Sequence, residues 1–198
     1  MATQLEIINL ALGKLGECFL STYPDASKRQ SDVVAAFYNI SLKETLNLVP
    51  WRETFIRATY TGTAASANAG WDYLYQKGVN LASDIDHIVA VNDGQDFEVR
   101  TIYLYSNDPS IVLQYHQNTI SEANMSQELV NTFALVLAKN IAPSITENQE
   151  LRLSLTNELN ALLPRVKYKN LTKSNMLRER TSISTPWQSA RYYNSVNP

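Results

Sequence analysis

Apolar residues first recur at helical spacing at Leu5, Ile8, Leu12 and Leu15, behind Thr3 and Glu6. A threonine followed three residues on by a glutamate is a capping box, which opens a helix, and Gly16 supplies its stop. After a loop with Pro24, Asp25 is placed to cap a second helix running to about Leu48. Val33, Ala36, Phe37, Ile40, Leu42 and Leu46 lie mostly on one stripe of that helix, and Pro50 ends it. Lys28, Arg29, Asp32 and Glu44 fall on its polar face. That face is solvated in a monomer and meets a neighbouring subunit in an oligomer.

From Trp51 the period changes to alternation, with Ile56, Ala58 and Tyr60 on one side of a strand and Phe55, Arg57 and Thr59 on the other. The small, polar stretch from Thr61 to Gly70 reads as a loop, extended here to Asn80. Ile88 to Val91, an Asp93-Gly94 turn and Phe97 to Tyr105 predict a hairpin, and Ile111 to His116 a further strand. Helical spacing returns at Met125, Leu129, Phe133, Val136, Leu137 and Ile141, closed by Pro143. Thr146 and Gln149 form a second capping box ahead of Leu151, Leu155, Leu159, Leu162 and Val166. Pro164 lies inside that pattern and predicts a kink or break, because proline removes a backbone donor and clashes one turn back. Periodicity ends at Arg180.

The pattern predicts an α+β fold, mainly α. Residues 1–50 and 123–177 form an antiparallel helical bundle, 51–122 a small β-rich insertion, and 178–198 an extended C-terminal arm. The 198 residues suit one domain with a small subdomain, and a hydrophobic fraction of 44% is that of a chain that packs. No apolar run is long enough to span a membrane, and the N-terminus lacks the basic and apolar regions of a signal peptide, so synthesis and assembly in the cytoplasm are expected. Cys18 is the only cysteine, which excludes an internal disulfide and a cysteine-based zinc site.

The net charge of −2 conceals an asymmetry. Up to Leu151 acidic residues outnumber basic ones 17 to 9, whereas Arg152 to Pro198 hold 8 basic and 2 acidic residues. Lysine and arginine rows attract nucleic acid and acidic protein by the same Coulomb attraction, so composition does not separate these partners. The arm combines Arg178, Arg180 and Arg191 with Pro186, Trp187, Tyr192 and Tyr193. Large aromatics anchor a segment that orders on a partner, offsetting its lost entropy, and Trp, Tyr and Arg are the types enriched at binding hot spots.

Catalytic patterns are missing from the sequence: there is no nucleophile elbow, Walker A loop, HExxH or GxGxxG. His87 and His116 stand at predicted strand edges without a third ligand at a recognised spacing, and Asp84, Asp86, Asp93 and Asp96 read as solvated turn residues. The sequence implies no enzyme activity, cofactor or metal.

Two segments, IINLALGKLGE at 7–17 and the stretch from Asp25 through Val33, Tyr38 and Leu46 to Trp51, are similar to the tail tubular protein A family, the head-to-tail adaptors of short-tailed bacteriophages. LVLAKNIAPSITENQELRLSL at 135–155 also resembles the paired C-terminal helices of such adaptors. The resemblance implies a virion neck protein forming a dodecameric ring between the portal and a tail tube or nozzle protein, with double-stranded DNA passing through without specific binding. Under it, Arg178, Arg180, Pro186, Trp187, Arg191, Tyr192 and Tyr193 dock on the portal, while Lys28, Arg29, Asp32 and Glu44 lie between subunits. An acidic ring body suits DNA passage, because a lysine- and arginine-lined lumen would hold phosphates through counterion release. The alternatives are a neck or tail completion protein of another phage type, a nucleic-acid-binding module, and, ranked last, an enzyme acting on polysaccharide.

Overall fold

A computed structural model describes residues 2–65, 70–91 and 96–179, with side chains as far as residue 170. Helix α1 (Gln4–Leu15) opens on the predicted capping box: Thr3 Oγ1 accepts from the Glu6 amide, and Glu6 Oε2 accepts from the Thr3 amide at 2.8 Å. Gly16 terminates it with φ of 74°, a left-handed conformation that costs glycine little. Helix α2 (Arg29–Leu48) starts later than expected. Asp25 does not cap it; its carboxylate instead accepts from the Ser27 amide and hydroxyl, closing a turn ahead of the helix.

The core-facing stripe of α2 also differs from the apolar one in the sequence. Ser31, Val34, Tyr38, Ser41 and Thr45 are buried, whereas Ile40 is 60% exposed. The small hydroxyl residues are hydrogen-bonded and let helix α3 (Gln127–Ile145) lie close. Thr45 Oγ1 donates to the Ser41 carbonyl, and Asn140 Nδ2 on α3 donates to Ser41 Oγ.

Helix α3 is the hub. It packs on α1, on α2 and on α4 (Gln149–Glu179), and every residue from Thr132 to Ala138 is buried. A helix apolar on all sides belongs inside, and Val130, Ala134, Leu135 and Ala138 complete the circle begun by the predicted stripe. Neither proline breaks its helix. Pro143 lies within α3, and α4 is helical through Pro164 to Glu179. Asn148 rather than Thr146 caps α4, its Oδ1 accepting from the Glu150 and Leu151 amides, while Thr146 Oγ1 donates to the Ala142 carbonyl at the end of α3.

The β portion requires a larger correction. The fold is α+β, but it is not a helical bundle with a minor β insertion. Among the described residues seven strands form two antiparallel sheets: β1 (Phe55–Thr61), β7 (Ser110–Gln117) and β4 (Ile85–Val91) in one, and β2 (Thr63–Ala64), β3 (Tyr73–Gln76), β6 (Tyr103–Ser106) and β5 (Glu98–Arg100) in the other. Strand β1 alternates as predicted, with Ile56, Ala58 and Tyr60 turned inward. The expected pairing of 88–91 with 97–105 is absent. Strand β4 pairs with β7 instead, and 97–105 folds on itself through a turn at Thr101, whose φ is 54°. The Asp93-Gly94 turn lies outside the described residues.

Residues 73–76, read as loop, form β3. Its Tyr-Leu-Tyr pairs with the same tripeptide in β6, Leu74 opposite Tyr105 and Tyr75 opposite Leu104. Tyr75, Leu81, Ile85, Val91, Leu104, Ile111, Leu113 and Tyr115 make a core separate from that of the helices, so the sheets are a second module with an interior of its own. The chain passes from one sheet to the other at Gly62, where an added Cβ would stand 2.7 Å from Tyr75 Cζ.

Trp51 joins the modules. It is 1% exposed within the helical core, and its Nε1 donates to the Thr45 carbonyl at 2.9 Å, satisfying an acceptor at the end of α2. Its own carbonyl accepts from Thr54 Oγ1, and that oxygen lies 2.9 Å from His116 Nδ1 in β7.

Candidate assembly surfaces

Helix α4 sets the geometry of the C-terminal half. Leu155, Leu159 and Val166 bury one side of it. Lys14 at the end of α1 pairs with Glu158 at 2.7 Å, and Lys169 pairs with Glu128 at the start of α3. Exposed ion pairs contribute little stability, so the buried leucines and Val166 hold α4 in place. At the usual helical rise, 31 residues extend about 46 Å, so α4 delivers its C-terminal end well away from its start. Arg178 lies in the last turn of α4, its side chain beyond those described; Arg180, Pro186, Trp187, Arg191, Tyr192 and Tyr193 lie outside the described residues.

The four polar residues of α2 separate into two places. Lys28, Arg29 and Asp32 share its N-terminal end, where Arg29 Nη2 donates to the Ser144 carbonyl at 3.0 Å. Glu44 stands three turns away and is engaged within the subunit: it accepts from Lys139 and from Asn140 Nδ2. Burial works against its charged form, but the hydrogen bonds from Asn140 and Lys139 and the lysine charge outweigh it and hold the carboxyl below its ordinary value.

Two surfaces that the sequence reading did not single out carry apolar or aromatic side chains, exposed on the first and half-buried on the second. On the first, Leu10 and Phe19 are 45% and 64% exposed beside an open groove of about 520 Å³ between α1 and the start of α3. Asn9 positions the segment that carries Phe19: its Oδ1 accepts from the Leu20 amide and its Nδ2 donates to the Leu20 carbonyl. The second lies on the four-stranded sheet. Tyr103 and Tyr105 are 6.3 Å apart, the Arg100 guanidinium lies 5.2 Å from the Tyr105 ring centre, and Glu98 accepts from both Arg100 and Trp71 Nε1. Bonds from Arg100 and then Trp71 lower the Glu98 carboxyl pKa. Tyr103 and Tyr105 lie on the side of β6 away from the core because strand side chains alternate and Leu104 between them is buried, whereas the same tripeptide in β3 alternates the other way and puts Tyr75 in the core.

Among the described residues no group of three or more His, Cys, Asp and Glu side chains converges as a metal cage, and no helix is long and apolar enough to cross a membrane. Cys18 is exposed. The chain matches no known family model and no curated protein.

Proposed function

We propose that this chain is a structural virion protein, not an enzyme, that forms a ring adaptor between a portal and a tail and provides a channel for DNA. The observation that carries the reading is the sequence contrast between an acidic body and the cationic, aromatic segment that follows α4, a helix paired to α1 and α3 through Lys14–Glu158 and Lys169–Glu128. The likeness of residues 7–17, 25–51 and 135–155 to tail tubular protein A adaptors supplies the kind of assembly.

A closed ring needs two unlike surfaces on each subunit. The Leu10–Phe19 groove and the Arg29–Asp32 end of α2 are available between neighbours, and the Tyr103–Tyr105 face suits the tail tube or nozzle protein. The arm, with Arg178, Arg180, Trp187, Arg191, Tyr192 and Tyr193, takes the portal. The acid excess of the body lets double-stranded DNA pass without being held.

Mass photometry of the chain mixed with the portal protein of the same virion tests this. A ring is expected on the portal with the full chain and none with residues 180–198 removed. A chain that ignores the portal but binds duplex DNA, with affinity falling steeply with salt, overturns the reading in favour of a nucleic-acid module.

A further inference from the structure

The two histidines of the chain are direct cross-strand partners, His87 on β4 opposite His116 on β7. Such partners hold their Cβ atoms about 4.5–5.5 Å apart on the same face of a sheet, close enough for both rings to reach one ion. That face is the outer one: Ile111, Leu113 and Tyr115 turn to the core, while His116 lies on the opposite side of β7. The register slips between Ile85 and His87, and both Asp86 and His87 are exposed. The slip brings a carboxylate beside the histidine pair.

The tautomer of His116 is fixed from behind. Thr54 spends its hydroxyl proton on the Trp51 carbonyl at 2.8 Å, so Thr54 Oγ1 accepts from His116 Nδ1–H at 2.9 Å. Nε2 then keeps its lone pair. A neutral imidazole whose Nδ1–H is tied to an oxygen is the form in which proteins present histidine to a metal.

We propose that His87 and His116 form a two-imidazole chelate for a borderline divalent cation of the Zn2+ class on the outer face of the three-stranded sheet. Imidazole nitrogen suits zinc, copper and nickel, whereas magnesium and calcium take oxygen. Water completes the coordination, because no third side chain converges there among the described residues, and Asp86 contributes negative charge next to the ion. Thr54 is a positioning residue that acts through the His116 ring. The site is independent of ring assembly and stands whether or not the chain binds a portal.

Two histidines give a simple test. An untagged full chain carrying Cys18→Ser, which removes the exposed thiol as a competing ligand, is titrated with ZnSO4 and followed by 15N correlation of the imidazole nitrogens. Both Nε2 signals are expected to shift together to a 1:1 endpoint while His116 keeps its Nδ1–H. Exposed His87 replaced by Gln should weaken binding about tenfold or more without unfolding the chain. Thr54→Val should weaken it by roughly tenfold and loosen the His116 tautomer. Nε2 signals unmoved by Zn2+, or equal affinity in His87→Gln, overturn the proposal.

Discussion

Replacing Gly62 by alanine tests whether the sheets hold a core of their own. The added Cβ would stand 2.7 Å from Tyr75 Cζ and 3.0 Å from Tyr73 Cβ and Tyr75 Cε2. Carbon atoms pack at about 3.5–4.0 Å, so the Tyr75 ring must retreat by close to an ångström. It has nowhere to go: Tyr75 is fully buried, and its hydroxyl donates to the Asp108 carbonyl at 2.6 Å. Forcing a methyl into a filled core costs about 1–3 kcal/mol. At about 2–4 °C per kcal/mol for a chain of this length, the midpoint of thermal unfolding should fall by roughly 2–12 °C.

Hydrogen exchange locates the damage. Protection should drop in β3, β6 and β7 and stay unchanged in α1 and α3, whose core is separate. Gly13→Ala is the control, since its Cβ would meet only the exposed Phe19 ring at 3.1 Å and alanine favours a helix interior by up to about 1 kcal/mol. A Gly62→Ala chain as stable as the parent, or one losing protection equally in α1 and α3, would refute the two-core reasoning.

Trp51→Phe leaves the Thr45 carbonyl without its indole donor, so denaturant titration should show a loss of about 1–3 kcal/mol. Thr101 holds a β-branched side chain at φ of 54°, and Thr101→Gly should raise stability by about 1 kcal/mol in the same assay. The Glu44 carboxyl is depressed in the folded chain, so its contribution is present above the unfolded carboxylate pKa and disappears as pH falls through the folded one. Unfolding midpoints from pH 7 down to pH 3 should therefore decline less steeply in Glu44→Gln than in the parent.

Signals that act within a few residues were legible in the sequence. The Thr3–Glu6 box, the Gly16 stop and the inward side of β1 depend on local spacing and appear where expected. The α2 stripe shifted because small hydroxyl residues are buried wherever a neighbouring helix comes close and their protons find a carbonyl, which hydropathy cannot register. Pro143 was expected to close its helix and Pro164 to kink or break the next one, yet α3 runs on to Ile145 and α4 passes Pro164 without a break. Strand partners depend on residues far apart, so β4 was assigned to the wrong neighbour. Among the candidate interface residues, Arg29 and Glu44 have partners on α3 that only the fold reveals.

The hub position of α3 bears on how the chain emerges from the ribosome. Helices α1 and α2 are complete by Leu48, but their common partner begins only at Gln127. At about 5–20 residues per second, that interval lasts on the order of ten seconds. Meanwhile the strands between Phe55 and Gln117 are all translated and can close their own interior first. The nascent N-terminus therefore waits with Ile7, Ile8, Leu12 and Val34 uncovered, a natural client for a holding chaperone until the second half of the protein arrives.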